Sequence, residues 1–142
     1  MNKKDIFKEI IRSFHKKPPL AVKKRALQLP FDSGKVITVS GVRRCGKTFL
    51  LLDAISGLIS RGVELSRIIY INFEDERLET DKKDLDLILQ AYQELYPEAE
   101  LSGTYFFFDE IQNVDGWEKF VRRVYDTVSK NIFITGSNSK LL

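Results

Sequence analysis

Several things are scarce in this chain of 142 residues, which has one cysteine, one histidine, one tryptophan and four prolines. A lone thiol, Cys45, excludes an internal disulfide and any cysteine-cluster metal site. Long hydrophobic runs are absent too. The longest reach four residues, as in Phe49 to Leu52 and Tyr105 to Phe108, far short of a membrane span. The basic N-terminus has no apolar h-region of the signal-peptide kind, so the expectation is a cytoplasmic protein without a membrane partner. Internal repeats and low-complexity tracts are missing as well. What remains, 43% hydrophobic and 30% charged residues, suits one domain with a sizeable core.

The net charge of +3 hides an asymmetry. Residues 1–25 hold nine Lys/Arg against two Asp/Glu, a balance of +7; the remainder holds 14 basic and 18 acidic residues, a balance of −4. Such a segment can meet nucleic acid or an acidic partner, although a solvated helix face is the commoner meaning of a charge run.

Ile6, Phe7, Ile10, Ile11 and Phe14 recur at helical spacing and predict an amphipathic helix over 3–17, ended by Pro18-Pro19. His15, near its basic end and with no partner fixed by sequence, is expected at the surface. Residues 20–35 read as a connector closed by the turn Asp32-Ser33-Gly34. This gives an N-terminal helix and linker over 1–19 and a core over 20–142.

The stretch around which that core is organised is Gly41-Val42-Arg43-Arg44-Cys45-Gly46-Lys47-Thr48, which fits the phosphate-loop pattern G-x-x-x-x-G-K-[ST], or Walker A. It follows a β-branched run, Val36 to Ser40, and precedes a helix expected from Thr48 to about Ser60, stopped by Gly62. A helix N-terminus supplies free N–H groups and the positive end of a dipole, which favour an anion. Gly41 through Phe49 is therefore the expected nucleotide-contacting stretch. Lys47 has reach and charge for the β- and γ-phosphates, and Thr48 offers a hydroxyl to Mg²⁺. Arg43 and Arg44 either brace phosphate or point outward to a partner. Cys45, beside Lys47 at a helix N-terminus, should have a depressed pKa and raised reactivity.

Arg67 to Phe73 predicts a second strand, running into Glu74-Asp75-Glu76. A helix capped by Thr80 or Asp81 follows to Tyr96, with Leu85, Ile88, Leu89, Tyr92 and Leu95 on one face. Tyr105 to Phe108 is a third strand leading into Asp109-Glu110. Trp117, Phe120, Val121, Val124, Tyr125 and Val128 mark the cleanest helix, with Asp115 a candidate N-cap, and Asn131 to Thr135 is a fourth strand. Strands alternating with helices imply a parallel sheet with helices on both faces, whose ligands bind beyond the strands' carboxyl ends. The phosphate loop, Asn72 with Glu74, Asp109 with Glu110, and Thr135 to Asn138 all fall on that edge. Asp109 at the end of an apolar strand is a Walker B carboxylate for Mg²⁺, and Glu110 beside it can orient or deprotonate a water. Thr135, Ser137 and Asn138 can each bond the γ-phosphate or that water, and spacing does not choose among them.

Taken together, G-V-R-R-C-G-K-T, Y-I-N-F-E-D-E-R-L, F-F-F-D-E-I-Q-N-V-D-G-W-E-K-F and I-T-G-S-N-S-K-L-L resemble the N-terminal ATPase core of a prokaryotic AAA-type ATP-binding family, over roughly residues 20–142. The resemblance implies an α/β P-loop NTPase of the additional-strand, catalytic-glutamate kind. That is a three-layer sandwich with a mainly parallel sheet, in which the fourth strand separates the Walker A and Walker B strands. It implies ATP with Mg²⁺ as ligands, held by Gly41 to Phe49. Lys47 and Glu110 would be catalytic, Thr48 and Asp109 would be metal ligands, and Ser137 and Asn138 the first sensor. Family members continue through a fifth strand and a helical region, so the chain reads as an N-terminal fragment truncated after its fourth core strand. Its partners would then include the missing C-terminal region of its own chain and a protein partner or second copy. The expected function, for the full-length protein, is a Mg-dependent ATPase whose hydrolysis drives a conformational change, while the fragment itself is expected to bind nucleotide with or without turnover. The alternative is a nucleotide-dependent interaction switch with negligible turnover. A small-molecule kinase fits less well, because it needs no water-activating glutamate beside Asp109.

Overall fold

The computed structural model describes residues 2–18, 29–31, 33–41 and 46–137. Its first helix, α1 (Lys3–Lys16), is capped by Asn2, whose side-chain oxygen accepts from the Asp5 N–H at 2.9 Å. A parallel sheet follows in βα steps: β1 (Ile37–Gly41), α2 (Lys47–Ser60), β2 (Ile68–Asn72), α3 (Asp86–Leu95), β3 (Tyr105–Asp109), α4 (Trp117–Thr127) and β4 (Ile132–Ser137). The spatial order is β1-β4-β3-β2, with every pair parallel. The strand that ends in Ser137 therefore lies between the strand leading to the glycine loop and the strand ending in Asp109, as the resemblance implied.

Alternation along the strands divides the core into two layers. Phe106 and Phe108 of β3 face α3 and α4, where Tyr92, Ile88, Phe120 and Val124 close over them. Phe107 faces α2, against Leu51, Ile55 and Leu58, and stacks on Phe133 of β4 with centroids 4.5 Å apart. The parity has a consequence at the strand ends. Asp109 shares the α2 side with Phe107, and Thr135 and Ser137 share it with Phe133, so three polar side chains emerge beside the N-terminus of α2.

Helix α1 covers the edge at β2 and belongs to both layers. Phe7, Ile10 and Ile11 pack in the α3 layer, while Phe14 packs in the α2 layer. An outer strand exposes unpaired backbone groups, and a covering helix is one way to protect them. Three lysines of the basic N-terminal segment are paired within the chain: Lys3 with Asp84 at 2.7 Å, and Lys4 and Lys8 with Glu94 at 2.8 and 2.5 Å. The Glu94 carboxyl is held down to about 2 by hydrogen bonds from those two ammonium groups. Residues 19–28, which hold Lys23, Lys24 and Arg25 of that basic stretch and most of the connector, lie outside the described residues.

Three local expectations are corrected or refined. His15 is not a free surface residue. Its Nε2–H donates to the Ile68 carbonyl of β2 at 2.7 Å, and its Nδ1 accepts from the Tyr96 hydroxyl at 2.6 Å. The ring closes an open carbonyl on the sheet's edge, and burial pushes its pKa down, keeping the neutral form that this pattern needs. His15→Leu should leave both partners unsatisfied and cost about 1–3 kcal/mol in chemical denaturation; an unchanged midpoint would refute this role. The cap of α4 is Gly116, at φ 80°, rather than Asp115. Entry in the left-handed region favours glycine. The helix expected from Thr80 or Asp81 begins as a 3₁₀ turn, Lys82–Asp84, with Asp81 and Asp84 forming a capping box before α3.

Candidate functional site

The site is built where β1, β3 and β4 end and α2 begins. Gly41 and Ser137 lie opposite each other in the β1–β4 register, and Asn72 lies opposite Asp109 in the β2–β3 register. Gly46, at φ 93° and ψ 14°, turns the chain into α2 through a left-handed conformation that suits glycine. This turn sets Lys47 and Thr48 in the helix's first turn, facing the strand ends.

Lys47 is 4% exposed. Its Nζ donates to the carbonyls of Gly41 at 3.0 Å and Gly136 at 2.8 Å and to Ser137 Oγ at 2.8 Å, and it lies 3.5 Å from Glu110 Oε2. The ammonium thus bridges the ends of β1 and β4 and faces the carboxylate after β3. Ser137 links the two charges, accepting from Lys47 and donating to Glu110 Oε1 at 2.7 Å. Gln112 Nε2 donates to the same Oε1 at 2.9 Å. Burial raises the Glu110 carboxyl, but the Ser137 and Gln112 donors and the Lys47 charge outweigh it, so the pKa falls below the ordinary value. Glu110 is therefore a carboxylate at neutral pH.

Glu110 also departs from ordinary backbone. At φ 54° and ψ 48° it is the sole non-glycine residue with positive φ among the described residues. Such conformations cost energy and gather at functional sites. The turn is fixed from both sides: the Glu110 N–H donates to Thr135 Oγ1 at 2.9 Å, and the Glu110 carbonyl accepts from Asn113 Nδ2 at 3.0 Å.

Asp109 is fully buried and takes three O–H donors. Thr135 Oγ1 donates to Oδ1 at 2.5 Å, while Thr48 Oγ1 at 2.8 Å and Tyr70 Oη at 2.6 Å both donate to Oδ2. Thr48 keeps its oxygen lone pairs for a cation while its O–H points to Asp109. This donor set is all oxygen, and no cluster of three or more His, Cys, Asp or Glu side chains that could hold a metal occurs among the described residues. Few protein oxygens beside a phosphate site are what Mg²⁺ accepts, since it completes its shell with phosphate and water. The residues fit that ion.

Of the expected site residues, the fold gathers Gly41, Gly46, Lys47, Thr48, Asp109, Glu110 and Ser137. Phe49 is 54% exposed on the outer side of the first turn of α2. Val42, Arg43, Arg44, Cys45 and Asn138 lie outside the described residues. Thr135 and Ser137 are now distinguished: Thr135 spends its hydroxyl on Asp109 and the Glu110 backbone, whereas Ser137 spans Lys47 and Glu110. At the end of β2, Asn72 accepts the Glu74 N–H at 2.9 Å, closing a turn, and Asp75 pairs with Arg77. Sequence reasoning missed Tyr70 and Gln112. The available signal for Tyr70 was a hydroxyl inside R-I-I-Y-I-N-F, two residues before Asn72 and on the same side of the strand.

A parallel sheet, a left-handed glycine entering a helix, and a lysine–carboxylate network at the strands' carboxyl ends define an α/β domain of the P-loop kind. The chain belongs to the AAA domain family, whose model matches residues 33–142. It is 40% identical over 145 aligned residues to an uncharacterized protein of Methanocaldococcus jannaschii, covering 100% of this chain and 30% of the relative. It is 38% identical over 111 residues to an uncharacterized protein of Haemophilus influenzae, covering 78% of this chain and 27% of that one. The chain thus spans less than a third of the length of these curated relatives. No solved structure matches it significantly. Among the described residues, no helix is long and apolar enough to cross a membrane.

Proposed function

We propose that the chain binds MgATP at the turn from β1 into α2 and supplies the catalytic groups of an ATPase. The observation that carries this reading is the single hydrogen-bonded network joining Lys47, Ser137 and Glu110 at the sheet's carboxyl edge. Gly41 to Phe49 would wrap the phosphates, with Lys47 neutralising the β- and γ-phosphate oxygens. Mg²⁺, when bound, offsets phosphate charge; Thr48 and Asp109 would hold it, Asp109 directly or through water. Glu110 would orient the attacking water and accept its proton, as an ionised carboxylate in hydrogen-bond reach can. Ser137 would exchange its bond to Lys47 or Glu110 for one to the γ-phosphate and so report whether that group is present. Adenine as the base rests on membership in the AAA domain family.

The test is calorimetric titration with ATP, in Mg²⁺ and in EDTA, followed by single-turnover hydrolysis. Binding without turnover, in a chain extended to the length of the relatives, would select the interaction switch over the ATPase. No binding of ATP or GTP under either condition would remove both.

A further inference from the structure

Tyr70 has no part in the mechanism above, and its position asks for one. It lies on β2 opposite Phe107 of β3, two residues short of the level of Asp109. Two residues of strand rise about 6.6 Å, roughly the reach of a tyrosine side chain lying along the strand. Its hydroxyl therefore arrives at the Asp109 carboxylate, 2.6 Å from Oδ2, on the oxygen that also accepts from Thr48. The phenol is held from behind by Phe14 of α1, its ring stacked at 5.4 Å and 29°. Phe14 lies outside residues 33–142, the part of the chain that the family model matches.

We propose that Tyr70, braced by Phe14, is a positioning residue that fixes the Asp109 carboxylate for a divalent cation. This rests on the MgATP reading. A fully buried carboxylate needs partners, and their kind decides what it can do. Thr48, Thr135 and Tyr70 are all neutral O–H donors, so they orient both oxygens without cancelling the charge. A lysine or arginine at position 70 would satisfy the same oxygen while neutralising the anion that a cation requires. The donors differ in duty as well: Thr48 also turns lone pairs toward the ion, whereas Tyr70 is free to hold the carboxylate throughout. A phenol is protonated at neutral pH, so the Tyr70 hydroxyl has the proton that this bond to Asp109 uses. Through the Phe14 contact, the N-terminal helix sets the same carboxylate.

The experiment measures ATP affinity in EDTA and in Mg²⁺ and takes the ratio as the metal-dependent gain. Groups that orient a ligand typically contribute about 10–100-fold to metal affinity. Tyr70→Phe should lower the gain about tenfold while leaving the metal-free affinity within about twofold of wild type. Phe14→Leu keeps the hydroxyl but loosens the ring, and should lower the gain about threefold. An unchanged gain in the two variants overturns the assignment, and so does an equal loss with and without Mg²⁺, which would make Tyr70 a packing residue alone. If Tyr70→Phe does not fold, the Phe14→Leu ratio decides. Wild-type protein that binds ATP equally well in EDTA and Mg²⁺ overturns the role of Tyr70 but leaves nucleotide binding standing. No ATP binding by wild type brings down the functional reading and this assignment together.

Discussion

Lys47→Ala is expected to weaken ATP binding by at least about 100-fold in calorimetric titration, since a charge-assisted contact to phosphate is worth roughly 1.5–3 kcal/mol and the lysine makes more than one. The geometry adds a second expectation. The same nitrogen joins the Gly41 carbonyl to the Gly136 carbonyl and Ser137, beside the Glu110 carboxylate. Truncation leaves these buried acceptors and the anion without their shared donor, costing about 1–3 kcal/mol of folding stability. The variant should therefore unfold at lower denaturant concentration but remain folded under native conditions. Binding lost without unfolding supports a phosphate-reading lysine. Binding retained at wild-type affinity would show that Lys47 serves only to tie β1 to β4, and the nucleotide site would have to be sought elsewhere.

That double duty explains what the sequence could and could not convey. Lysine followed by threonine at the start of an apolar helix is a local pattern with a local cause, the anion preference of a helix N-terminus. The strands and most helices were legible for similar reasons. The Trp117 to Val128 spacing folds as α4 because Phe120, Val121 and Val124 share one buried face, and Phe106 to Phe108 alternate between two helix layers as a parallel strand must. Long-range partners carry no such mark. His15 looked unpartnered because its partners are Ile68 and Tyr96, at sequence separations of 53 and 81 residues. Tyr70 looked like one more strand aromatic, since its meaning depends on the order in which the strands are laid down. The basic N-terminus read more readily as a solvated helix face than as a surface for outside partners, and neither reading held the pairing of Lys3, Lys4 and Lys8 with acids near and on α3. The Asp115 cap failed for a local reason, because glycine at 116 allows a left-handed entry that needs no side-chain cap.

Glu110→Gln separates chemistry from binding more sharply than any other substitution. The amide keeps the shape of the side chain and can still accept from Ser137 Oγ and Gln112 Nε2, so the left-handed turn at residue 110 should survive. What it loses is the carboxylate's ability to take a proton from water. Single-turnover ATP hydrolysis should fall by about 10²–10⁴-fold, the usual range for a general base. Affinity for MgATP should move the other way. Glu110 lies 3.5 Å from the Lys47 ammonium, and a γ-phosphate reaching Lys47 would share that charge with it while sitting near a like charge. Removing the anion ends both penalties, and an increase of about three- to tenfold in affinity is expected, a size consistent with one partly screened charge pair. Together, slower hydrolysis and tighter binding would place Glu110 at the reacting end of the nucleotide. Unchanged hydrolysis would rule out the catalytic role. Weaker binding would mean instead that Glu110 holds Lys47 in its phosphate-reading position, making their 3.5 Å contact part of the binding-competent state rather than one that ATP must displace.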